Sequence, residues 1–138
     1  MKKVAYFLVI FAFVLLTLSI WISSVYSNQY LEEKTFYASA NFTYNHLGFD
    51  VSNSSLNFGY IPIGSSSTRE VVYFNHYDLP VYVYIEAEGE LSDSLIFESP
   101  VFVEGKSERV ISFTAFAPRD SMPGFYDGSV RFIIKPAK

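Results

Sequence analysis

The chain has 138 residues, half of them hydrophobic and 19% aromatic, with no cysteine and a formal net charge of −4. That length holds one domain. The acidic balance excludes the basic stripe that nucleic-acid binding needs and gives no attraction to anionic lipid head groups, and without cysteine any exported domain is held by its core alone.

Lys2 and Lys3 are the only charges before a long apolar run, and all 14 acidic residues follow it. From Val4 to Ile22, "VAYFLVIFAFVLLTLSIWI", only Thr17 and Ser19 bring hydroxyls. Carried on to Tyr26 the run spans about 34 Å as a helix, enough for a hydrocarbon core of roughly 30 Å. All 7 glycines and all 6 prolines lie after His46, so the breakers are confined to the second part. The expected organisation is a cytoplasmic N-terminus over 1–3 and a transmembrane signal anchor over 4–26. The basic start keeps the N-terminus inside and sends the C-terminal part outside. Tyr6 at one end, with Trp21 and Tyr26 at the other, suit the membrane interfaces. A secretory signal cleaved near "VYS", Val25 to Ser27, is the alternative; its apolar run would be longer than the roughly 15 residues such signals use.

Residues 27–44, "SNQYLEEKTFYASANFTY", read as a connector. Glu32, Glu33 and Lys34 mark the exit from the membrane, and the helix is expected to continue as a short stalk that frays near Asn41. From 45 to 138 the pattern changes to short β runs broken by turns. "VYVYIEAE" alternates, with Val81, Val83, Ile85 and Ala87 on one side and Tyr82, Tyr84, Glu86 and Glu88 on the other. "FYDGSVRFII" repeats this, with Tyr126, Gly128, Val130, Phe132 and Ile134 inward and Asp127, Ser129 and Arg131 outward. "SERVISFTAFA" groups Arg109, Ile111, Phe113, Ala115 and Ala117. "REVVYFN" is apolar on both faces, which predicts a central strand. "LGFDV", "SLIFE" and "VFVEG" supply shorter runs, with the prolines outside strand cores. The predicted fold is all-β: an antiparallel β-sandwich of about seven strands after one N-terminal transmembrane helix.

"LNFGYIPIGSSSTREVVYFN" followed by "LPVYVYIEAEG" resembles the immunoglobulin-like ASH-type domains, relatives of the major sperm protein sandwich. Phe58-Gly59, Ile61-Pro62, Gly64, Asn75 and Pro80 stand at the places of that pattern, and Pro118, Gly124, Tyr126 and Gly128 look like its last strand pair. The resemblance covers roughly residues 50–135 and implies an immunoglobulin-like sandwich; "HYD" after Asn75 is bulkier than the small turn residues usual there. Read from the residues alone, Phe58 buries its ring, Gly59 bends the chain out of a strand, Pro62 fixes the link, and Gly64 with the serines makes the turn. The stretch is predicted to cross from one sheet to the other.

Candidate chemistry is sparse. His46 and His76 without cysteine form no zinc set, and Ser65 to Ser67 lack the strand-to-helix elbow of a serine nucleophile. Glu86, Glu88, Glu90 and Asp93 straddle a strand face and a turn and read as a solvated loop, as do Asp120 and Asp127. Neither a catalytic set nor a cofactor is expected, and the chain is read as a non-enzyme. "NFT" at Asn41 and "NSS" at Asn53 are N-glycosylation sequons, expected in linker or turn positions. Tyr73, Tyr82 and Tyr84 are expected to share an outward sheet face, either as stabilising aromatic pairs or as a docking surface. The function expected is binding or scaffolding at the cell envelope, with an unidentified envelope or surface protein as partner and a homo-oligomer as an option. The alternative is a structural or accessory subunit of a surface filament or secretion-type assembly, using the N-terminal helix for packing; Val4 after Lys3, where prepilin-type processing uses a small residue, counts against it.

Overall fold

Side chains from Tyr6 to Ser23 are exposed along a helix, α1 (Lys2–Ser27), in the computed structural model, which describes residues 2–27, 30–44 and 55–137. The helix is long and apolar enough to cross a membrane over Tyr6–Ser23. Its two hydroxyls are satisfied within the helix: Thr17 Oγ1 donates to Val14 O and Ser19 Oγ to Leu16 O, each at 2.9 Å.

The rest is strand-rich: β1 (Glu32–Thr43), β2 (Leu56–Pro62), β3 (Ser66–Phe74), β4 (Val81–Gly89), β5 (Leu95–Phe97), β6 (Val101–Val103), β7 (Glu108–Phe116) and β8 (Gly124–Pro136). They form a five-stranded sheet in the order β2-β1-β8-β4-β6 and a three-stranded sheet in the order β3-β7-β5. Their inner faces meet in one core. A run of aromatic rings crosses it from β1 to β5: Phe36 to Phe132 at 5.0 Å, Phe132 to Phe113 at 5.9 Å, and Phe113 to Phe97 at 5.7 Å. The Phe132–Phe113 pair joins the two sheets, and each fully buried ring contributes about 1.5–3 kcal/mol.

Several expectations change here. The connector over 27–44 is replaced by β1, the second strand of the larger sheet, so the domain starts well before residue 45. Its inner face carries Phe36, Ala38, Ala40 and Phe42, and small alanines let it lie close against the core. The strands number eight among the described residues, and the pairing is not wholly antiparallel, because β1 and β2 run parallel. "REVVYFN" forms an edge strand, β3, whose outer Val72 and Phe74 stay exposed. Arg109 lies outside the core, at the exposed start of β7. The "LGFDV" run lies outside the described residues.

The crossing stretch behaves as its residues demand. Phe58 and Ile61 are buried in β2, and Gly59, at φ 71, supplies the extra residue of a bulge between Asn57 and Tyr60. The chain then leaves the five-stranded sheet and enters the three-stranded one through Gly64, at φ 87. Backbone groups close this turn: Gly64 N donates to Ala117 O at 2.7 Å and Ala117 N to Ser65 O at 2.9 Å.

Candidate binding face

The outer face of the five-stranded sheet carries a set of interacting polar and aromatic side chains. Period-two alternation in β4 turns Tyr82, Tyr84, Glu86 and Glu88 outward while Val81, Val83 and Ile85 are buried. Register then fixes their neighbours. Tyr82 lies opposite Phe102 of β6 and Lys135 of β8, Tyr84 opposite Ile133, and Glu86 opposite Arg131.

Tyr82, Tyr84 and Phe102 form one cluster, with centroids 5.4 Å apart for Tyr82–Phe102 and 6.4 Å for Tyr82–Tyr84. Lys135 Nζ stands 5.1 Å from the Tyr84 centroid, a cation over a ring. The three rings remain 37%, 38% and 43% exposed, so this packing leaves their edges available to solvent.

Beside the cluster, Arg131 Nη2 donates to Glu86 Oε2 at 2.5 Å and Glu88 Oε1 at 3.3 Å, and Nη1 lies 3.8 Å from Glu33 Oε1. The Glu86 hydrogen bond and charge hold the guanidinium above its ordinary pKa. Further along, Tyr37 Oη donates to Asp127 Oδ2 at 3.0 Å, and desolvation followed by that bond raises the phenol's pKa. The face therefore passes from an aromatic end to an ionic centre locked by one arginine.

Tyr73 is not part of it. It belongs to β3 in the other sheet and points inward, only 5% exposed, because its strand alternates Val71 and Tyr73 toward the core. Lys34 Nζ lies 6.0 Å from its ring centroid, and among the described residues its hydroxyl has no hydrogen-bond partner. Burial, then the charge of Glu32, then Tyr77 push its pKa up to about 12. Asn41 sits in β1, in place of the expected linker or turn, opposite Phe125 on one side and Tyr60 on the other. Asn53 lies outside the described residues. His76 packs its ring against Phe74 at 4.8 Å on the exposed end of β3.

Sequence reasoning missed Phe102 and Lys135. The signal was present in "VFV", where a large ring stands between two valines that face inward, but the pairing of β4 with β6 is needed to bring it to Tyr82. Among the described residues no three His, Asp or Glu side chains converge as metal ligands. No protein-family model, curated protein or solved structure matches this chain.

Proposed function

We propose that the chain is a single-pass membrane protein, N-terminus in the cytoplasm, that presents an immunoglobulin-like sandwich outside the cell and binds or scaffolds an envelope protein without catalysis. The observation that carries this reading is the Tyr82–Tyr84–Phe102 cluster with Lys135, exposed on the outer face of the five-stranded sheet. Tyrosine and phenylalanine supply large contact area at low entropic cost, and exposed clusters of them are typical anchors of protein interfaces. The helix supports anchorage by length and composition, and Lys2 with Lys3 supports the orientation.

The resemblance carried by Phe58, Gly59, Pro62, Gly64 and Asn75 supports the immunoglobulin-like assignment, and an arrangement of two sheets is compatible with it. A second reading, a subunit of a surface filament, draws on one observation: α1 is apolar on every side, as suits a helix packed in a shared bundle as well as one in lipid.

The experiment is crosslinking at the surface of intact cells with wild type and with Tyr82→Ser/Tyr84→Ser. Wild type should capture a defined envelope neighbour that the double variant loses. Equal capture by both removes the face from the proposal, and protection of the domain from protease added to whole cells removes the topology.

A further inference from the structure

We infer that Asn41 is an N-glycosylation site whose first sugar rests between the rings of Tyr60 and Phe125. This rests on the export proposed above. The sequon Asn41-Phe42-Thr43 lies in β1, where alternation buries Phe42 at 1% exposure and turns Asn41 to the outer face. Among the described residues the Asn41 carboxamide has no hydrogen-bond partner.

Two exposed rings flank it. Register places Tyr60 of β2 and Phe125 of β8 directly across from Asn41, one on each side, and they are 49% and 59% exposed. Neither has a ring partner among the described residues, in contrast to Tyr82, Tyr84 and Phe102. Two large apolar rings left open beside a free asparagine cost solvation unless something covers them. The electron-rich face of an aromatic ring attracts polarised C–H groups, and a pyranose presents a row of them on one side. A sugar on Asn41 Nδ2 is held where it can cover either ring.

The transfer forms a bond between Nδ2 and sugar C1 and breaks the C1–O bond of an isoprenoid-linked sugar phosphate donor. The isoprenoid phosphate departs and Nδ2 releases one proton. The modified end lies about ten residues of β8 from Lys135, roughly 33 Å at 3.3 Å per residue, so a glycan there leaves the Tyr82 cluster uncovered.

The test is mass analysis of the full chain purified from its own cells, with electron-transfer fragmentation to separate Asn41 from Asn53, alongside protease accessibility of the domain on intact cells. A sugar mass on Asn41, lost in Asn41→Gln, is expected. Tyr60→Ser/Phe125→Ser should lower the melting temperature of the glycosylated chain by roughly 4 °C more than it lowers that of Asn41→Gln. Unmodified Asn41 on a protease-accessible domain overturns this inference alone; unmodified Asn41 on a protected domain overturns the export reading with it. A modified Asn41 whose melting difference is the same in both backgrounds overturns the role of the two rings.

Discussion

Asn75 Nδ2 donates to the carbonyl of Glu104 at 2.9 Å, tying the end of β3 to the turn after β6. The same amide donates to Leu79 O at 3.0 Å, and its Oδ1 accepts from Tyr77 N at 3.0 Å, while Asn75 itself is fully buried. Asn75→Ala removes three hydrogen bonds made by a fully buried side chain, and is expected to cost about 2–4 kcal/mol in urea unfolding of the detergent-solubilised chain. Asn75→Asp turns a carboxylate toward carbonyl oxygens, which raises its folded pKa above the unfolded value. The variant's deficit should therefore be smallest below about pH 4 and grow as pH rises.

Phe113 stacks on Phe132 across the two sheets at an interplanar angle of 21°. Phe113→Ala opens a cavity where the sheets meet and should cost about 3–5 kcal/mol. Phe113→Leu keeps most of the volume and should cost less than half of that, measured by the same unfolding midpoint.

A Cβ on Gly128 would come within 2.3 Å of Glu88 O, opposite Gly89 at φ +96. Gly128→Ala must push β4 from β8, at a cost of about 1–3 kcal/mol. Amide exchange should quicken first at the Gly89 end of that ladder, and unchanged protection there would contradict the close approach.

Tyr73 gives stability a pH dependence on the alkaline side. Its folded pKa is pushed up to about 12, above the unfolded value of about 10. Its contribution is therefore complete below pH 10 and is lost as pH climbs from about 10 to 12, where the unfolded state ionises first. Tyr73→Phe should remove that component of the slope and leave stability at pH 7 unchanged or slightly higher, because the lost hydroxyl has no partner among the described residues.

Arg131 separates three glutamates on an exposed sheet face. Arg131→Ala leaves Glu33, Glu86 and Glu88 to repel one another, so the melting temperature should drop at low salt and recover toward wild type as salt screens the cluster. A deficit of constant size across salt would show that the arginine acts through packing.

The alternation in β4 and β8 was legible because valine, isoleucine and phenylalanine occupy every second position, and the sheet crossing was legible because Phe58, Pro62 and Gly64 each have a narrow structural use. β1 was not. Its inner positions begin with Glu32 and Lys34, which pair at 3.1 Å at the rim of the core, and continue with alanines, so strand periodicity is masked beside an apolar helix. The binding face was half legible: Tyr82 and Tyr84 follow from one strand's own period, whereas Phe102 and Lys135 join them only through pairings that no local pattern encodes. Tyr73 was misassigned because β3 carries apolar residues on both faces, and only the five-stranded sheet packed against one of them decides which side is buried.

The pairing of β1 with β8 makes a strand synthesised early depend on one made much later in the chain. A ribosome would have to release β2 through β7 as well before Glu32 to Phe42 could find their mates between Gly124 and Ile134. Such large sequence separation slows folding, and a chain ending before Gly124 would strand both flanking β1 and β4 without the element that joins them. Any nascent copy would thus wait, unclosed, until β8 had emerged.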